Sequence, residues 1–156
     1  MLQLINSMQK DGYDVTYASP AQPSDHAIDF KAFNIRPVSI ELNCSSFDDF
    51  IQQLNPSAVL FDRYMMEEQF GWRVEKFCPD ALRLLDTEDL HCLRFARQAL
   101  AKGNEQVIQD VPLDCLLSDY AKREIAAILR CDLSIMISEY EMTLLTQVFH
   151  VPPHIL

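Results

Sequence analysis

Apolar positions recur along this chain first at helical and then at strand-like spacing, and the alternation continues almost to its end. Met1, Leu4, Ile5 and Met8 mark one face of an opening helix, with Gly12 as its stop. Residues 15–19 predict a strand, closed by Pro20 and a turn-rich segment. Residues 24–35 fit neither period, and 37–42 read as a second strand with Val38 and Ile40 on one face. Ser46 and Asp49 form a capping box for a short helix with a stripe of Phe47, Phe50, Ile51 and Leu54, ended by Asn55-Pro56.

The second part of the chain repeats the pattern. A buried strand is predicted over 58–61, then a helix over 67–78 with Phe70, Val74, Phe77 and Cys78 inward and an exposed acidic start. A strand over 81–85 leads to a helix over 90–102, with Gly103 beyond it. The longest helix is expected from Pro112, its stripe of Leu113, Leu116, Leu117, Tyr120, Ala121, Ile125, Ile128 and Leu129 running for five turns. A strand over 133–137 and a helix over 139–149 close the pattern before Pro152-Pro153, and 103–112 is left as the long loop. Strands alternating with helices in this way predict an α/β fold over 1–156: a Rossmann-like parallel sheet with helices on both faces.

Such a sheet ordinarily opens on a strand whose glycine-rich turn enters the first helix. Here the pattern opens on the helix, and Gly12, Gly71 and Gly103 open no helix after a strand. The expectation is a layer whose first strand is missing and which has no phosphate-cradling loop.

Composition narrows the functions. With 49% hydrophobic and 23% charged residues the 156-residue chain has a globular balance. A net charge of -10 disfavours sequence-independent nucleic-acid binding and an anionic membrane surface. No apolar run reaches the roughly 18–20 residues of a membrane span, and the first residues lack the layout of a signal peptide. Cys44, Cys78, Cys92, Cys115 and Cys131 form an odd set without a C-x-x-C pair. Neither a zinc site nor a disulfide framework is expected, and a reducing cytoplasm is the natural compartment.

Ligands of open α/β sheets bind outside the carboxyl ends of the strands. Three such ends carry polar residues: Asp62 and Arg63; Asp86, Thr87, Glu88, Asp89 and His91; and Ser138, Glu139 and Glu141. A histidine among carboxylates can act as general base or orient a hydroxyl. The bland alternative is that Asp86 or Thr87 caps the next helix and His91 sits in its first turn. Ser138-x-x-Glu141 is a capping box as written. Asp62 and Arg63 are either an ion pair within the loop or an acceptor contact. Trp72 serves packing or a sugar platform, and His26, His150 and His154 fall in loops.

The stretches FDRYMMEEQFGWRVEKFCPDALRLLDTEDLHCLRFARQ and EIAAILRCDLSIMISEYEMTLL resemble the amino-terminal domain of bacterial glycosyltransferases of the GT-B architecture. The matching features are Asp62 at a strand end, the run from Leu84 to Arg97, and the run from Asp132 to Glu141. The resemblance implies two facing Rossmann-like domains, with the sugar acceptor mainly on the first and the nucleotide-sugar donor mainly on the second. It implies metal-independent transfer without a cofactor. Carried onto this sequence, it gives His91 and Asp89 catalytic positions, makes Asp62, Arg63, Asp86 and Glu88 acceptor-binding, and puts Ser138 and Glu141 at the cleft edge. The donor-binding domain and the first strand are not in these 156 residues, so the chain alone is expected to be inactive. The alternative is a binding or interaction module that keeps the fold without catalysis.

Overall fold

The structure, a computed structural model, describes residues 2–22, 28–103 and 111–156. Met1 of the opening stripe, residues 24–27 of the ambiguous segment with His26 among them, and most of the expected 103–112 loop lie outside the described residues. The chain divides into two compact units, Met1–Phe50 and Ile51–Leu156.

In the first unit, helix α1 (Leu2–Lys10) stops where Gly12 takes φ 90. Gly12 N–H donates to Gln9 O and Tyr13 N–H to Met8 O, the paired bonds that end a helix through a left-handed glycine. Strand β1 (Thr16–Ser19) pairs in parallel with β2 (Arg36–Ser39), Thr16 opposite Arg36. Strand β2 starts one residue before the predicted span and ends at Ser39, although Ile40 N–H still donates to Ser19 O. Between the strands, Phe30–Phe33 forms a 3-10 turn, and Phe30 stacks on Tyr17 at 4.4 Å between centroids. Gln9 Nε2 donates to Phe33 O at 2.9 Å and to Asn34 O at 3.2 Å, tying the turn to α1. Ile5, Ile35, Ile40 and Phe47 are buried.

Helix α2 (Ser46–Leu54) begins at Ser46, so Ser46 is inside it. Its hydroxyl points to Cys44 Sγ at 3.1 Å, and Asp48 N–H is taken by Ser45 O. The capping role expected of Ser46 is thus not made.

The second unit holds β3 (Ala58–Asp62), β4 (Leu82–Asp86) and β5 (Leu133–Ile135), all parallel in the order β3-β4-β5. The fold is α/β, with two small parallel sheets flanked by helices. Helix α3 (Tyr64–Phe77) lies on β3 and β4 and packs against α6 (Asp119–Arg130), which also touches β4 and α4 (His91–Gly103). Helix α4 includes Gly103, the expected stop. Phe61, Phe70, Val74, Leu85, Leu93, Ala127, Ile128 and Leu145 make the core.

Two sequence expectations are corrected here. The five-turn helix from Pro112 is broken into α5 (Leu113–Leu116) and α6, because Ser118 adopts an extended backbone and caps α6, its Oγ accepting from Ala121 N–H at 3.3 Å. Leu113, Leu117, Tyr120 and Leu129 are exposed in consequence, and the inward face is Ala121, Glu124, Ala127 and Ile128. The acidic start expected to be exposed instead buries Glu67, which is 2% exposed and accepts two bonds at 2.9 and 3.1 Å from Arg130 Nε. Gly71 makes this possible, since a Cβ there would overlap the Glu67 carboxylate. Its neighbour Glu68 accepts a side-on pair of bonds from Arg123, from Nε at 2.9 Å and from Nη2 at 2.6 Å. Helix α7 (Glu139–Gln147) and a 3-10 turn at Pro153–Ile155 close the chain, the latter against β5. No helix among the described residues is long and apolar enough to cross a membrane.

Candidate functional site

The carboxyl ends of β3, β4 and β5 bring the residues singled out in the sequence onto one rim of the second unit. Strand β3 delivers Asp62 and then Arg63, the residue before α3, at φ 68 and ψ 159. That region of backbone space is essentially reserved for glycine, and a residue with a Cβ held there costs about 1–3 kcal/mol. Arg63 N–H donates to Asp86 O at 2.9 Å, which clamps the strained residue to the end of β4. Its Nε donates to Asp62 Oδ1 at 3.0 Å and lies 3.7 Å from Glu88 Oε2. The hydrogen bond to Asp62 pushes the Arg63 pKa further up, so its charge is fixed. Of the two readings of Asp62-Arg63, the ion pair is therefore formed; its side chains remain 40% exposed, open to a ligand.

Strand β4 delivers Asp86, Thr87, Glu88 and Asp89. Asp86 Oδ1 accepts from Glu88 N–H at 3.2 Å, turning the chain so that Glu88 takes φ 56, a second left-handed residue without a glycine. Thr87 Oγ1 donates to Ile135 O at 3.0 Å and ties this turn to β5. Asp89 Oδ1 sits 3.3 Å from Arg94 Nη1 and 4.0 Å from His91 Nδ1. The more exposed face of the rim thus carries three carboxylates, Asp62, Glu88 and Asp89, and two guanidinium groups, Arg63 and Arg94.

Behind these groups the first turn of α4 is closed by carboxylates from other helices. Leu90 N–H donates to Glu141 Oε1 at 3.0 Å, His91 N–H to Glu124 Oε1 at 2.9 Å, and Cys92 N–H to Glu124 Oε2 at 3.1 Å. Neither Asp86 nor Thr87 caps α4, contrary to the simplest reading of the sequence. Three orphan amides at the positive end of a helix are instead met by two buried acids, Glu124 at 1% and Glu141 at 7% exposure. Ser138 does cap α7, accepting from Glu141 N–H at 3.5 Å, but Glu141 completes no capping box because its carboxylate reaches α4.

His91 is 4% exposed. Its Nδ1 lies 3.4 Å from Glu124 Oε1 and 3.3 Å from Asp89 O, and its ring meets Tyr64 edge-on at 5.4 Å. Phe95 and Tyr120 continue the aromatic contact outward, at 6.3 and 4.6 Å. Burial pushes up the Tyr64 hydroxyl and the Cys92 thiol, and takes the Cys131 thiol to about 12, so both thiols are protonated and inert at neutral pH. Among the described residues no three His, Cys, Asp or Glu side chains are placed to hold a metal ion.

Sequence reasoning missed Glu124, Arg94 and Tyr64. The signal for Glu124 was present: it stands between Ala121 and Ala127 at helical spacing, a charge inside an apolar stripe. A charged residue in such a place is buried only with partners. Trp72 is 52% exposed, its ring under the Arg73 guanidinium at 4.5 Å. Compared with protein-family models, curated proteins and solved structures, the chain has no match.

Proposed function

We propose that this chain is the acceptor-side domain of a GT-B type glycosyltransferase, and that the rim at the ends of β3 and β4 receives a polyhydroxylated acceptor. The observation that carries the reading is the pair of strained residues without glycine, Arg63 and Glu88, clamped side by side where a parallel sheet presents its ligands. Three carboxylates mixed with two guanidinium groups supply both acceptors and donors, which suits vicinal hydroxyls better than an anion or a flat apolar ring. Residues Asp86–Asp89 of the run from Leu84 to Arg97, one of those that carry the resemblance, belong to this rim.

In this reading Asp62, Arg63 and Glu88 touch the acceptor, and Asp89 is the carboxylate that takes a proton from an attacking hydroxyl. Asp86 shapes the turn. His91 acts through Asp89 and Glu124, orienting them from a buried position. Ser138 and Glu141 hold α7 and α4 together at the edge. In this reading the nucleotide-sugar donor belongs to a second domain that faces this one.

One observation favours the module reading: His91 is buried and Asp89 is engaged by Arg94. Saturation-transfer NMR separates the cases. Methyl glycosides are expected to receive saturation from the chain, and uridine or guanosine diphosphate sugars are not. Saturation of the nucleotide sugars with none of the glycosides would place the donor here and end the acceptor-side reading.

A further inference from the structure

The ring contacts of His91 run from the interior to the surface. Tyr64 and His91 are buried, edge to face at 5.4 Å. Phe95 follows at 6.3 Å from His91, and Tyr120 at 4.6 Å from Phe95 with 38° between the ring planes. Phe95 is 37% and Tyr120 46% exposed, so the series surfaces between α4 and α6, both in the second unit. Packing accounts for the two inner rings. It does not account for two aromatic side chains left half in water side by side, where each gains only part of what burial would give it.

This pair is joined to the charged face of the rim. Arg94 Nη1 lies 3.3 Å from Asp89 Oδ1, and Arg94 Cζ lies 5.8 Å from the centre of the Phe95 ring, so one side chain borders both features. A ligand that uses both needs an apolar face and hydroxyls around its edge. A pyranose with equatorial hydroxyls has that shape: its axial C–H bonds form a flat apolar face, and its hydroxyls point sideways to carboxylates and guanidinium groups.

The charge of the ligand is constrained as well. The amides that open α4 would offer an anion its donors, but Leu90 N–H is taken by Glu141, and His91 and Cys92 N–H by Glu124. The carboxylates of Asp62, Glu88 and Asp89 repel a phosphate further. A protein partner fits the combination less well, because the centre of such an interface is depleted of charge.

We propose that Phe95 and Tyr120 form a stacking platform beside the rim, and that the acceptor is an uncharged pyranoside with equatorial hydroxyls whose C–H face lies on these rings. The proposal rests on the acceptor-side reading of the rim and adds to it the face and the class of sugar that are recognised.

The test is a titration of the full chain with two methyl glycosides, read by NMR at the Phe95 and Tyr120 rings and at the amides of residues 62–63 and 86–89. Methyl β-glucopyranoside has only equatorial hydroxyls on its ring, whereas methyl β-gulopyranoside carries an axial hydroxyl on each face and cannot lie flat on an aromatic side chain. The glucoside is expected to shift both rings together with the rim amides, and to bind about tenfold more tightly than the guloside. Phe95→Ala is expected to weaken the glucoside about tenfold and the guloside little, while Tyr120→Phe, which keeps the ring, changes neither. The measurements on the parent chain need no variant to fold. Rim amides that move while the rings stay still, or equal affinity for the two glycosides, overturn the platform and leave the acceptor site standing. Silence of both rim and rings overturns the two readings together. Rings that shift without the rim, or with rising protein concentration in the absence of sugar, overturn the platform too, by giving it a ligand elsewhere or a second chain as its occupant.

Discussion

Arg63 spends conformational energy where a glycine would not, and its ion pair with Asp62 does not offset the cost. The pair is 40% exposed on both sides, and such pairs contribute about 0–1 kcal/mol. Relief of the backbone strain is the larger quantity, about 1–3 kcal/mol. Arg63→Gly is therefore expected to raise stability by about 1 kcal/mol, read as a higher urea midpoint at unchanged slope. A lowered midpoint would mean that the guanidinium contacts outweigh the strain and that residue 63 is structural. The sequence showed Asp62 and Arg63 at a strand end but not this strain, because positive φ outside glycine leaves no trace in composition or period. The left-handed Asn34, Asn43 and Asn55 are the ordinary case, a residue type that tolerates the region.

At the scale of elements, the strands and most helices were legible, because apolar runs bounded by proline, glycine and asparagine set both their type and their ends. Partners between helices were not legible. Glu67 read as part of an exposed acidic start and Glu141 as the cap of its own helix, and Glu124 drew no reading, yet each is buried and serves another helix. Such pairings are set by tertiary packing, to which local period is blind. The α4 start depends on this most: removing the Glu124 carboxylate leaves His91 and Cys92 amides buried without acceptors. At about 1–3 kcal/mol for an unsatisfied buried group, Glu124→Ala is expected to cost about 3 kcal/mol and Glu124→Gln, which keeps one acceptor oxygen, about half of that. Chemical denaturation measures both. Equal stability of Glu124→Ala and the parent would show that the α4 amides have another acceptor.

Over the whole molecule, parallel pairing in both sheets follows from the alternation of strands and helices, and the polar residues gather at strand ends as that topology requires. The partition into two sheets was not legible. A strand's apolar run says that it is buried, not which neighbour buries it, so β1 with β2 and β3 with β4 and β5 were read as one layer. The rim at the ends of β3 and β4 is a part of the molecule where backbone strain and exposed charge coincide. Amide chemical-shift mapping with a panel of methyl glycosides tests its role most directly, comparing the parent chain with Arg63→Gly. The expected result is a set of shifts confined to residues 62–63 and 86–94 in the parent and lost in the variant, although the variant is the more stable protein. Shifts of equal size in both proteins, or shifts centred on another surface, would contradict an acceptor site at this rim.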